Sequence, residues 1–108
     1  MQLRIITRGE FREVPLSGEK RRDIFYTVKE ALHNIIKHSG ASETELSFFV
    51  NDGDLAVVIR DNGKGLPEEI PNGHGNGLNN MRQRMEAVRG SFNVENHQGT
   101  KITLKVPI

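Results

Sequence analysis

The chain has 108 residues, 35% hydrophobic and 27% charged, with a formal net charge of +1 and no cysteine. That length suits one domain whose single core buries roughly 65% of the unfolded surface. The near-neutral charge gives no general ground for nucleic-acid or membrane-surface binding, no apolar run approaches the ~20 residues of a membrane span, and without cysteine there are no disulfides or thiolate metal sites. The amino terminus lacks the apolar core of a secretion signal, so a cytoplasmic setting is expected, whether as a free domain or as the cytoplasmic part of a membrane-bound protein.

Residues 3–7 and 10–14 read as short strands joined by a turn at Arg8-Gly9. Pro15 to Gly18 breaks the pattern. From about Glu19 to His38 the apolar residues Ile24, Phe25, Val28, Ala31, Leu32, Ile35 and Ile36 recur at helical spacing, and Gly40 is the stop. Residues 44–51 alternate as a strand, Asn51-Asp52-Gly53-Asp54 is a hairpin turn, and residues 55–60 return to Asp61. A Gly, Pro and Asn-rich loop fills 62–77, a length that in a small domain points to function or disorder. Leu78 to Arg89 reads as a second helix capped by Gly90, and 91–96 with 101–106 as a last hairpin. The sum is α+β: a two-layer sandwich, an antiparallel or mixed sheet with two helices on one face.

The first helix carries a polar stripe. At about 100° per residue, with Glu30 as zero, Asn34 lies at about 40°, Thr27 at about 60°, His38 at about 80° and Lys37 at about −20°. The apolar face centres on about 170°. The stripe thus borders the core, as the wall of a cleft would, although Glu30 and Asn34 also fit an ordinary surface. In the cleft reading the Asn34 amide oxygen is a hard ligand for Mg²⁺, which keeps waters and takes phosphate oxygens as well. Glu30 would orient or deprotonate a group beside a γ-phosphate, and Lys37 and His38 would meet phosphate oxygens.

Five of the eleven glycines, Gly63, Gly65, Gly73, Gly75 and Gly77, fall in one fifteen-residue window. Asp61-Asn62-Gly63-Lys64-Gly65 follows a strand and is equally a turn or the floor of a cleft. In a cleft an ionised Asp61 only accepts hydrogen bonds, which suits the exocyclic amine of adenine and opposes the carbonyl that guanine carries there. Gly63 and Gly65 would keep side chains off base and sugar. Gly73-His74-Gly75-Asn76-Gly77-Leu78 opens the second helix, whose amino-terminal N–H groups make an anion site, unless the run is only a flexible linker. Neither the GxxxxGK[ST] loop nor GxGxxG occurs. The four histidines, His33, His38, His74 and His97, have no zinc-like spacing, and His33 falls on the exposed side of its helix.

These boxes together, over about residues 19 to 108, resemble the ATP-binding catalytic domain of sensor histidine kinases, in the superfamily shared with DNA gyrase, the heat-shock chaperone of the ninety-kilodalton class and the MutL ATPases. Glu30-Ala-Leu-His-Asn34-Ile-Ile-Lys37-His38 resembles the N box, Asp61-x-Gly63-x-Gly65 the first glycine box, Gly73-x-Gly75-x-Gly77-Leu78 the second, and Gly99-Thr100 the closing Gly-Thr whose threonine sits near adenine. The wording of the boxes is similar to the nitrate-sensor and desaturase-regulator type, which has a short nucleotide lid; here the lid would be about Leu66 to Asn76. The resemblance implies the Bergerat ATP-binding fold across 1–108, with ATP and Mg²⁺ as cofactors. It implies that Asn34 binds the metal, that Asp61 binds the adenine amine, and that Lys37, His38 and Arg82 or Arg84 face phosphates. Glu30 is the base in hydrolytic relatives, whereas kinases often carry the acidic partner on the dimerisation domain.

Residues 1–18 offer no phosphoacceptor helix. The expected partners are therefore ATP, the dimerisation domain of a longer kinase and, indirectly, a response regulator, with no nucleic acid and no direct membrane contact. An anti-sigma-type serine kinase, a hydrolytic ATPase of the same fold and a nucleotide-gated binding module are the alternatives.

Overall fold

A computed structural model describes residues 2–8, 16–51, 53–64, 77–96 and 99–108. The order is β1 (Gln2–Arg8), α1 (Gly18–Asn34), a π-helical turn (Ile35–Ser39), β2 (Glu43–Asn51), β3 (Asp54–Asp61), α2 (Gly77–Ala87), β4 (Ser91–Asn96) and β5 (Thr100–Pro107). The sheet runs β1-β2-β3-β5-β4. β1 is parallel to β2, with α1 in the connection between them, and the remaining pairings are antiparallel. The strand expected at 10–14 lies outside the described residues.

Period-2 alternation builds the core. Leu46, Ile59, Ile102 and Val94 form one cross-strand row, Phe48, Val57, Leu104 and Phe92 the next, and Val50, Leu55 and Val106 a third. Ile24, Ala31 and Ile35 from α1 and the π turn, and Met81, Met85 and Val88 from α2 and its end, pack into the same cluster. Truncating such buried aliphatic side chains to alanine costs about 2–5 kcal/mol each. On the opposite face Arg4, Glu45, Arg60, Lys101 and Glu95 stand in one row, a pattern suited to water.

On the core side the alternation runs one step beyond the last apolar row, to Thr44 and Asp61, paired across β2 and β3, and to Thr100 on β5. Thr44 and Thr100 are buried. The double layer thus ends in a polar row beneath the carboxyl-terminal end of α1.

α1 begins one residue earlier than its periodicity suggests. Ser17 caps it, its hydroxyl accepting from the Lys20 N–H at 3.2 Å. The helix is also rolled relative to its apolar stripe. Phe25 and Ile36, expected in the core, are 60% and 64% exposed, while Thr27 and Asn34 are buried. Thr27 can be buried because its hydroxyl donates to the Asp23 carbonyl at 2.8 Å. The roll brings Thr27 and Asn34 of the polar stripe under cover and leaves Lys37 exposed. Gly40 closes the π turn in the left-handed region, at φ 69°, as the sequence suggests.

The end of α2 differs from expectation. The left-handed residue is Arg89, at φ 62°, and not Gly90. The Gly90 N–H donates to the Met85 carbonyl at 2.8 Å and the Arg89 N–H to the Glu86 carbonyl at 3.0 Å, the pair of bonds that defines a Schellman cap. Gly90 is needed for another reason: a Cβ there would press into the Lys105 carbonyl oxygen of β5. Arg89→Gly should therefore stabilise the fold by up to about 1 kcal/mol by relieving the left-handed strain. Gly90→Ala should destabilise it by about 1–3 kcal/mol. Urea denaturation of the two variants checks both signs.

Candidate active site

Asp61 is the last residue of β3. One of its oxygens, Oδ1, accepts from the Gly63 N–H at 2.7 Å, an Asx-type turn that fixes the carboxylate. The other, Oδ2, is buried and has no hydrogen-bond partner. Asn34, the last residue of α1, is 5% exposed, and its Nδ2 is likewise buried and unpartnered. His38, one turn on, is half-buried with an unpartnered Nε2. Among the described residues these three are the buried side-chain polar atoms left without a partner. Native folds leave few such atoms, since each costs on the order of 1–3 kcal/mol. All three belong to residues that the sequence singles out for ligand contact.

Two close backbone approaches hold this end of the molecule together. The Lys64 N–H donates to the Ser39 carbonyl at 2.9 Å, and a Cβ on Gly63 would collide with that same carbonyl. Gly99, at φ 121°, lies so close to the Asp61 carbonyl that a Cβ there would overlap it. The first approach ties the end of the helix to the segment after Asp61, and the second brings the start of β5, with Thr100, alongside. Gly63 and Gly99 are thus required by contacts within the protein itself. The Ser39 hydroxyl reinforces the corner, donating to the Ile35 carbonyl at 2.7 Å and accepting from the Ala41 N–H at 3.1 Å.

Glu30 meets the second helix. Its carboxylate lies 3.9 Å from the Arg84 guanidinium of α2, both groups about one-third exposed. A pair so placed contributes about 0.2–1 kcal/mol. Both line a groove of about 500 Å³ with Tyr26, Lys29, Leu32, His33 and Ile36. Arg84 also lies 5.6 Å from the Tyr26 ring centroid, and Arg82 lies 5.5 Å from that of Phe92. Each arginine expected to face phosphate is thus engaged with a neighbour in this structure.

Lys37 is exposed, as is His33, and Thr100 is buried with its hydroxyl 3.4 Å from Asn96 Oδ1. Gly77 is the first residue of α2 and Leu78 the second. Gly65, Gly73 and Gly75 lie outside the described residues. Among those described, no cluster of three His, Cys, Asp or Glu side chains forms a metal site. Asn34 still fits a cation that arrives with its own oxygen ligands. Its Nδ2 is buried without a partner, and a half-turn about Cβ–Cγ would bring Oδ1 to that position.

The sequence motifs do not mark Asn62 and Ser39: Asn62 falls between Asp61 and Gly63, and Ser39 between His38 and Gly40. The turn preference of Asn and Ser was the available signal, but it does not reveal which segments they join.

Gly63→Ala and Gly99→Ala should each destabilise the fold by about 1–3 kcal/mol, because the added Cβ meets backbone and not a movable side chain. Gly18→Ala, with open space around its Cβ, should be near neutral. Denaturant titrations of the three variants separate these outcomes.

Residues 19–108 match the family described as histidine kinase-, DNA gyrase B-, and HSP90-like ATPase. The chain is 37% identical over 97 residues to the signal transduction histidine-protein kinase/phosphatase UhpB of Salmonella typhimurium, covering 88% of this chain and 19% of that protein. It is 38% identical over 81 residues to the sensor histidine kinase YvfT of Bacillus subtilis, covering 75% and 21%. It therefore spans about a fifth of the length of these relatives. Among solved structures, the blue-light activated histidine kinase of Erythrobacter litoralis superposes with a TM-score of 0.75 at 26% identity, over 97% of this chain and 35% of that one. The catalytic domain of histidine kinase ThkA has the same fold, with a TM-score of 0.79 at 18% identity over 98% and 79%. The chain belongs to the histidine kinase-, DNA gyrase B- and HSP90-like ATPase family, as an ATP-binding catalytic domain of the histidine-kinase kind.

Proposed function

We propose that this domain binds Mg-ATP and presents its γ-phosphate to a histidine on the dimerisation domain of a two-component sensor kinase, with a response regulator as the eventual acceptor. The observation that carries this reading is the set of buried polar atoms on Asn34, His38 and Asp61 that the protein itself leaves without partners. A ligand with an exocyclic amine at one end and metal-chelated phosphates at the other completes all three. Histidine as the acceptor is supported by the names of the relatives, sensor histidine kinases of which this chain spans only a part. The wording around Lys37–Ala41 and along Leu78–Gly90 supports the nitrate-sensor and desaturase-regulator type. The cytoplasm is the compartment that supplies ATP.

Asp61 selects the base. The Gly63 N–H occupies Oδ1, so Oδ2 accepts from the adenine amine and repels the guanine carbonyl. Asn34 would hold the Mg²⁺ through its amide oxygen, and the bound ion would neutralise charge on the phosphates. Lys37 and His38 donate to phosphate oxygens, Gly77 and Leu78 present the amino terminus of α2 to them, and Thr100 supports the base beside Asp61. Gly65, Gly73 and Gly75 belong to the lid over the nucleotide. Glu30, held by Arg84, flanks the transferring phosphate and orients the incoming nucleophile.

Two measurements test the reading. Calorimetry should show ATP binding tighter than GTP, and Asp61→Asn should erase most of that preference, since an amide can donate to the guanine carbonyl; equal binding of both nucleotides by the wild type removes the role of Asp61. Asn34→Ala should abolish the gain in ATP affinity given by Mg²⁺ while leaving metal-free binding within about 1 kcal/mol of wild type. Unchanged Mg²⁺ dependence would remove Asn34 as the ligand.

A further inference from the structure

We infer that Asn62 is the positioning residue for the Asp61 carboxylate, and through it a determinant of the choice of adenine over guanine; this rests on the nucleotide-binding reading above. The Asn62 side chain spans two segments that the sequence separates by twenty residues. Its Oδ1 accepts from the N–H groups of Ser42 and Glu43, at 2.9 and 3.0 Å. Its Nδ2 donates to the Ser42 hydroxyl at 2.9 Å. The Asn62 main-chain N–H adds a bond to the Glu43 carbonyl at 3.3 Å. Residues 42–43 are the corner where the chain leaves the π turn and enters β2, and the Ser42 carbonyl there also accepts from Gln2 of β1, at 2.8 Å. Asn62 thus fastens the exit of β3 to the point where helix, β1 and β2 meet.

Asp61 needs this fastening. The Gly63 N–H that bonds its side chain belongs to the same turn and moves with it. That bond sets the carboxylate relative to residues 61–63 but not relative to the helix that carries Asn34 and His38. The β2–β3 ladder already pairs the Asp61 backbone with Thr44, and Asn62 carries that attachment one residue further, as the Lys64–Ser39 bond does beyond it. The Asn62 side chain is exposed, and hydrogen bonds open to water contribute little net stability, because water replaces them. Three at one exposed side chain therefore fix position more than they add to folding energy. Position is what base choice demands, since a hydrogen bond weakens steeply once its geometry is lost.

The experiment is calorimetry of ATP and GTP on the 108-residue chain, read as the ratio of the two affinities, with a melting temperature for each variant. Asn62→Ala should lower the ATP-over-GTP ratio by about tenfold, with little change in melting temperature. Asn62→Asp keeps the oxygen that accepts from Ser42 and Glu43, and the Ser42 hydroxyl can turn to donate, so it should keep the wild-type ratio. If Asn62 acts through Asp61, the double variant Asp61→Asn/Asn62→Ala should discriminate no less than Asp61→Asn alone. A purely structural role would lower the melting temperature and leave the ratio unmoved. A wild-type ratio in folded Asn62→Ala, or a ratio lost in folded Asn62→Asp, overturns the inference while leaving nucleotide binding standing. A wild-type chain that binds neither nucleotide overturns both.

Discussion

The site depends on the backbone of Ser39 touching the backbone of Gly63 and Lys64. That contact requires a residue without a Cβ at 63 and leaves the Ser39 carbonyl free to accept the Lys64 N–H. It brings the carboxyl-terminal end of a helix to the carboxyl-terminal end of a strand that starts on the far side of a hairpin. Gly99 repeats the device from the other side, lying against the Asp61 carbonyl. With both contacts made, α1, β3 and β5 converge, and their last or first residues supply Asn34, Asp61 and Thr100. A side chain at either glycine would pry the segments apart, whatever else remained in place.

Convergence alone would give a well-packed corner. It becomes a site because the sheet runs one residue pair past its apolar rows. Leu46, Ile59 and Ile102 are followed on the same face by Thr44, Asp61 and Thr100. The helix above is rolled so that Thr27 and Asn34 face inward and Phe25 and Ile36 face out. Thr27 satisfies itself by bonding back to its own helix. Asn34, His38 and Asp61 keep unpartnered atoms. The apolar rows must offset that cost, and a ligand that supplies the missing partners would recover it as binding energy.

Glu30 occupies a different environment. It is partly exposed, paired with Arg84 and set beside a groove lined by Tyr26, Leu32 and Ile36. The helix thus carries buried unpartnered atoms on Asn34 and His38 and an ion pair to α2 on Glu30.

Much of this was legible in the chain. Period-2 runs at 44–51, 55–60, 91–96 and 101–106 and the helical spacing after Glu19 determine the elements, because burial of one face needs only local periodicity. The boxes around Glu30, Asn34, Asp61 and the glycines carry the resemblance to the ATP-binding family, and residues 19–108 match that family. Other features were decided only by tertiary contact. The roll of α1 depends on which side of the helix the sheet covers, and an apolar stripe that includes Phe25 and Ile36 does not reveal it. The left-handed residue after α2 is Arg89, and β5 passes too close to Gly90 for any side chain there, a distance no local pattern encodes. The reach of Asn62 to Ser42 and Glu43 joins segments twenty residues apart, where short-range turn preference is silent. The sequence by itself determined the elements, the family and the kinds of group in the site; the packing of helix end against strand end decided which of those groups are left without partners, because that depends on distances between segments the chain does not connect.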